Sequence, residues 1–472
     1  MLTQDRASAV FDKLRKYSSA DEVELLISSG RSALTRFANN TIHQNVAEES
    51  HAVSLRVSID AGTAKGGRTA RVGTNKLDDE SLRRLAQTAD SLVKLQQPDP
   101  DLLAMPTPEG VSQAEVDGDG RVKRHIERTA RIGPQARADG VARIVDIAKK
   151  NSLIAAGISA SSEFSEGLFN SRAATKWHQQ TSAEVSITMI GDTSSGWQKA
   201  NASDVGNLDP ARMAEIAAEK ARQSANPREI GPGKYTVILE PSAVLDVVGF
   251  MFWDFSGSAL LEQRSFLNDR LGTQLFGDNI TVEDDVYHPL QTGAAFDGEG
   301  MTRQRLKLID KGVVRGLAYS RGAARKMLQS QLAANAGLVG PTGHGFILPN
   351  EMGEAPVNIV FKADPPGGSH TVEQMIASTD RGILVTRLWY IREVDPYEKI
   401  LTGMTRDGTF LVEGGRVRCG IRNLRFNQSL VHMLRNVDAL GESVRASGEE
   451  SIDMVVPPMR VRDFNFTETT KF

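Results

Sequence analysis

The stretch TFLVEGGRVRCGI, residues 409–421, reads as strand, two-residue turn, strand. Aliphatic and β-branched residues flank Gly414-Gly415, and a Gly-Gly pair supplies the left-handed backbone of a tight antiparallel hairpin. The same grammar recurs in RLKLIDKGVVRGLAYS, residues 305–320, around Asp310-Lys311-Gly312. With VNIVFK (357–362) and GILVTRLWYI (382–391), these hairpins make residues 229–472 a strand-rich, antiparallel, barrel-like C-terminal domain with few helices.

Upstream the pattern changes. Residues 4–17 read as a helix, residues 21–28 as a strand, and residues 34–72 as a meander broken by Asn39-Asn40 and glycine-rich turns. Residues 78–96 form an amphipathic helix with Leu82, Leu85, Ala89, Leu92 and Leu95 on one stripe. The class is therefore α+β, with an N-terminal α/β sandwich-like domain over residues 1–100. The proline-rich QPDPDLLAMPTPEG (97–110) reads as a linker or surface loop. A middle α+β segment over 101–228, packed with the first domain, follows. It carries helices near 121–131 and 137–150, strands at 153–163, 166–171 and 182–190, and a helix capped by Asp209 before Pro210.

The chain has 472 residues, too many for one core, so two or three domains are expected. A net charge of -3 gives no reason to expect nucleic acid or an anionic membrane as partner. Arg416 and Arg418 alternate as on one solvated strand face. A single cysteine, Cys419, rules out an intrachain disulfide framework and suits a reducing compartment. The N-terminus lacks the apolar core of a signal peptide, and no run approaches the roughly 18 apolar residues of a membrane span. The expected location is the cytoplasm.

Familiar motifs fail on inspection. GTAKGGRT (62–69) has P-loop glycines, but Arg68 replaces the lysine and no helix pattern follows, so a hairpin turn is expected. DGDG (117–120) lacks the calcium-loop glycine and glutamate at the sixth and twelfth positions, where Val122 and Arg128 stand. The eight histidines are scattered, none within five residues of another, so no helix turn offers paired imidazoles to a metal. Two acidic groups remain: Glu283, Asp284 and Asp285, and Asp297 with Glu299 in FDGEG. Paired carboxylates suit acid–base work or a hard cation, but beside glycine they more often cap turns.

Four phrases carry a resemblance: GSALLEQRSFLNDRLGTQL (257–275), AAFDGEGMTRQRLKLIDKGVVRGLAYSRGAARKM (294–327), PTGHG (341–345) and the segment 402–430. In order and spacing they resemble the C-terminal half of the TldD/PmbA proteins, also called the modulator-of-DNA-gyrase family. LTRFANNTI (34–42) and GLFNSRAATKWHQQTSAEVSIT (167–188) are compatible with it. The resemblance implies a heteromeric zinc peptidase in which TldD-type chains carry His-Glu-x-x-x-His and a C-terminal cysteine, while PmbA-type (TldE) chains lack them.

Aligned on Gly257, the two histidine positions hold Val248 and Trp253 and the glutamate position holds Gly249. Residues 451–466 contain no cysteine. By resemblance, then, this chain is PmbA/TldE-like: no catalytic residue, no metal ligand and no cofactor of its own, with zinc expected in a TldD-type partner. VVGFMFW (247–253) is expected to be an apolar helix, with Phe250, Phe252 and Trp253 filling the space where a relative holds metal. The expected partners are a TldD-type chain or a second copy as homodimer, and an unfolded or leader peptide; membrane and nucleic acid are not expected. One alternative is a hydrolase acting alone through a cleft of Asp297, Glu299 and His344. A second is a binding protein that modulates DNA gyrase.

Overall fold

The computed structural model describes residues 1–108, 123–334, 337, 339–362 and 370–470. DGDG at 117–120 lies outside them. The first helix, Gln4–Tyr17, starts where the Thr3 hydroxyl accepts the Arg6 N–H, and it buries Ala7, Val10, Phe11 and Leu14. A six-stranded antiparallel sheet follows: β1 (Glu22–Ala38), β2 (Thr41–Ile59), β3 (Arg68–Thr74), β4 (Ile154–Asn170), β5 (Thr175–Ile190) and β6 (Ser195–Ala202), in the order β3-β2-β1-β4-β5-β6. Because β1 pairs with β4, the segments 1–100 and 101–228 share this one sheet. The strand expected at 21–28 runs to Ala38, and those expected at 153–163 and 166–171 are one strand.

Four long helices cover one face of the sheet. Val23, Leu25, Ile27, Leu55 and Val57 pack under Gln4–Tyr17 and Asp79–Leu95. Phe37, Ala155, Val185 and Ile187 pack under Pro134–Lys150 and Pro210–Gln223. Asp209 caps the last of these by accepting the N–H groups of Ala211 and Arg212. Within Asp79–Leu95 the buried stripe ends in Ala86, Ala89 and Val93, while Leu92 and Leu95 are exposed, contrary to the expected pattern. The P-loop-like glycines form the turn before β3, with no helix after them. The proline-rich strap is tied to that turn by paired Gly67 and Asp99 backbone bonds of 2.8 and 2.7 Å.

The C-terminal half builds two sheets. One contains β7 (Gly233–Leu239) and the other begins with β8 (Thr281–Asp284), β9 (Leu306–Asp310), β10 (Val313–Val314) and β11 (Ile359–Lys362). Next come β12 (Arg381–Asp395), β13 (Ile400–Glu413), β14 (Arg416–Gly420), β15 (Leu424–Ser429) and β16 (Val437–Leu440). The last are β17 (Val444–Ala446), β18 (Met454–Val456) and β19 (Met459–Thr469). In the larger sheet the path β12-β7-β19-β15-β13 closes, because β13 also pairs with β12. That ring is the barrel, and β14 hangs from it by the Gly414-Gly415 turn, with φ of 57° and 72°. The second sheet runs β10-β9-β8-β11-β18-β17. Among the described strands of these sheets, β7 pairs with β12 and β11 with β18 in parallel, and the other strand pairs are antiparallel. An apolar core, including Val237, Val282, Leu308, Ile359, Leu388 and Phe426, joins barrel and sheet.

The C-terminal half docks on the helix-free face of the first sheet. Alternation turns Glu24 away from the helices, where its carboxylate holds Arg56 (2.7 Å) and Arg71 (2.7 Å). Arg71 also donates to the Leu348 carbonyl, and Lys176 donates to Thr302 (3.0 Å). Arg321 reaches back to the Ala104 carbonyl at 2.7 Å.

Candidate functional site

The apolar run does not continue as one helix. An α-helix, Pro241–Val248, opens on a proline at its first turn and then tightens into a 3-10 turn over Gly249–Asp254. The tightening sends neighbouring side chains to different environments. Val248 is fully buried in the core, whereas Trp253 is 53% exposed and rests against Phe346 with ring centroids 5.9 Å apart. Gly249 abuts the following loop so closely that a Cβ there would lie 1.9 Å from the Ser451 hydroxyl.

Beside this turn lies a cavity of about 810 Å3. Gly249, Phe250, Phe252, Trp253 and Met454 give it apolar walls, and Asp254, Glu393, Lys399, Glu449 and Glu450 bring charge to it. This corrects the expectation that aromatic side chains fill the space. Phe252 does turn into the core, but Phe250 is only partly buried and Trp253 faces outward, so the space stays open.

The charged groups are arranged with little slack. Lys399 is buried and its ammonium is shared between Asp254 and Glu393, the latter at 2.6 Å. Burial raises the Asp254 carboxyl above its usual range, and Lys399 opposes that shift. The loop after β17 forms another wall. Its backbone N–H groups at Glu449 and Glu450 both donate to Asp246 Oδ1 at 3.2 Å. Asp246 is fully buried, its Oδ2 finds no hydrogen-bond partner among the described residues, and burial pushes its carboxyl up to about 7. Lys199 on β6 donates to the Gly448 carbonyl (3.0 Å) and to Glu449 (3.3 Å), which ties this wall to the first sheet.

Asp297, Glu299 and His344 lie elsewhere and line none of this cavity. All three are buried. Asp297 accepts the N–H groups of Glu299, Met301 and Gly345 at 2.8–2.9 Å, which closes the FDGEG turn onto PTGHG. Glu299 accepts the Arg321 N–H (2.8 Å) at the start of the helix Arg321–Gln329. Burial, with Asp297 close by, pushes the Glu299 carboxyl up to about 7. His344 Nε2 sits 3.1 Å from buried Asp284 Oδ1, and its Nδ1 is 3.0 Å from the Thr342 hydroxyl. The structure thus brings the sequence-picked residues into two neighbouring turn-holding clusters. The charged residues that line the open cavity, Asp254, Glu393, Lys399, Glu449 and Glu450, come from three distant segments that no sequence motif connects.

A metal does not fit the positions that the family resemblance aligns with zinc ligands. Val248 and Trp253 offer no ligating atom and face core and solvent respectively, and Gly249 has no side chain. Among the described residues, no three His, Cys, Asp or Glu side chains gather as a metal-holding group. Cys419, on β14, is half-buried against the core.

A closed barrel joined to a second sheet, docked on a helix-backed sheet and opening beside an apolar helix-to-turn junction, defines a chain of the PmbA/TldD architecture. Residues 232–468 match the family described as PmbA/TldA metallopeptidase C-terminal domain, and residues 23–93 match PmbA/TldA metallopeptidase domain 1. The chain belongs to this family. It is 23% identical to Metalloprotease PmbA of Escherichia coli O157:H7 over 98% of this chain and 96% of that protein. It is 28% identical to an uncharacterized protein of Methanocaldococcus jannaschii over 178 residues, 37% of this chain and 42% of that protein's length. The solved structure of TldE from Thermococcus kodakarensis superposes with a TM-score of 0.82 at 18% identity, covering 98% of this chain and all of that one. Among the described residues, no helix is long and apolar enough to cross a membrane.

Proposed function

We propose that this chain is the non-catalytic, PmbA/TldE-like subunit of a zinc metallopeptidase system, pairing with a TldD-type chain that carries the metal and helping to form the cavity that receives the peptide. The observation that supports it is the junction at Val248–Trp253: the positions that would hold zinc and its base are a core valine, a glycine pressed on Ser451 and an outward tryptophan, while the space beside them is open. Zinc hydrolysis needs ligands with an open coordination position and a base for the bound water, and this junction offers none of these. Large apolar side chains stand exposed on segments that line the cavity or lie close to it: Trp253, Tyr390, Val394 and Ile452. Such a rim is the kind of surface that a protein partner covers.

The test is cleavage of an unfolded peptide by a purified TldD-type chain, titrated with this one. The reading expects cleavage to rise with added chain and to level off at a fixed stoichiometry, with no cleavage by this chain alone. Equal cleavage with and without it, or zinc-dependent cleavage by this chain alone, would overturn the reading.

A further inference from the structure

The charges around the cavity do not balance. Lys399 is shared by Asp254 and Glu393, Lys199 is shared by Glu449 (3.3 Å) and Glu184 (3.7 Å), and Glu450 has Arg392 at 3.9 Å. Arg264, also on the cavity wall, is neutralised by Glu262 at 2.6 Å. Among the residues that line the cavity itself, four are carboxylates (Asp254, Glu393, Glu449 and Glu450) and two are cations (Arg264 and Lys399). The surplus is accessible, since the side chains of Glu393 and Glu449 are 31% and 34% exposed. It stands next to apolar wall formed by Phe250, Phe252 and Met454, and next to the half-exposed indole of Trp253. An aromatic face attracts a cation through its ring quadrupole, most strongly for tryptophan. A volume of about 810 Å3 falls within the range of cavities that enclose a ligand of several side chains.

We propose that this cavity is a subsite for a peptide segment in which a large apolar side chain neighbours a lysine or arginine. The apolar group lies on Phe250, Phe252 and Met454, and the cation lies among Glu393, Glu449 and the face of Trp253. This inference rests on the reading of the chain as a peptide-handling subunit and names the class of sequence it prefers. The recognition is by charge complementarity around an apolar anchor, so it discriminates by sign of charge more than by shape.

The experiment uses the full chain and two acetylated, amidated hexapeptides, one with Phe-Lys at its centre and one with Phe-Glu. Binding is followed by tryptophan fluorescence and by calorimetry at low and high salt. The Phe-Lys peptide is expected to bind at least about tenfold more tightly than the Phe-Glu peptide, and to weaken as salt screens the carboxylates. The double variant Glu393→Gln, Glu449→Gln brings the two peptides to similar affinity, and Trp253→Phe removes most of the fluorescence change. Equal affinity for both peptides, no binding by either, or a preference unaltered by the double variant would overturn the subsite. Those outcomes are separate from the subunit reading: a chain that binds neither peptide yet still raises cleavage by a TldD-type chain loses only the subsite.

Discussion

Asp246 is the residue whose chemistry is most exposed to a direct test. Its carboxyl titrates near 7 in the folded chain and near its usual value when unfolded, so between those values the folded chain binds more protons. Stability contributed by this group is therefore largest in acid, falls as pH rises through that window, and is flat above about 7. Asp246→Asn keeps an acceptor for the Glu449 and Glu450 N–H groups and removes the titration. Chemical denaturation at pH 5 and pH 8 should find the variant stabilised relative to the parent at pH 8, with much of the advantage gone at pH 5. The neighbouring Val248 gives a second test. Val248→His puts a polar ring into a fully apolar site and should cost roughly 1–3 kcal/mol without creating zinc affinity, read by thermal melting with and without added zinc. That no ligand stands at 248 is legible in the sequence; that 248 and 253 face opposite environments is not, because it depends on where the helix tightens.

At the scale of elements, the cavity wall is held by the Asp254–Lys399–Glu393 group, which staples the 3-10 turn to the far end of the β12–β13 hairpin. Lys399→Met leaves two carboxylates facing one another with no cation and should cost about 3–5 kcal/mol, the range for breaking one partner out of a buried pair. Adding Asp254→Asn to that variant should recover part of the loss in the same denaturation experiment. Hairpins were the elements most legible in the sequence: Gly414-Gly415 and Asp310-Lys311-Gly312 announce their turns through backbone conformations that only certain residues favour. β1 was legible as two pieces, residues 21–28 and the start of the meander at residue 34, because the stretch 29–32 between them is polar with a glycine and its extended form is fixed by pairing with β2 and β4. In Asp79–Leu95 the stripe drawn through Leu92 and Leu95 misplaced the last turn, since Val93, not a leucine, continues the buried face. The cavity was not legible at all: its walls come from residues near 250, 393–399 and 449–454, which only closure of the barrel assembles.

Across the whole molecule, the two halves meet through charged and polar groups that belong to both. Glu24 sits at the centre of the docking face with Arg56 and Arg71 on it, and Arg71 continues to the Leu348 carbonyl. Glu24→Gln strands two guanidinium groups on that face and should lower stability by about 3–5 kcal/mol, with partial recovery on adding Arg56→Met. Loss of this contact should also loosen the wall that Lys199 ties to the first sheet, and hydrogen exchange of residues 447–453 would report it. The proposed role requires that this chain, though of metallopeptidase architecture, hold no catalytic metal and serve a partner that does. Elemental analysis of zinc in the untagged, purified chain addresses it directly. A non-catalytic subunit should hold zinc near zero per chain even after incubation with the metal; a ratio close to one, lost on substituting residues of this chain, would contradict that role.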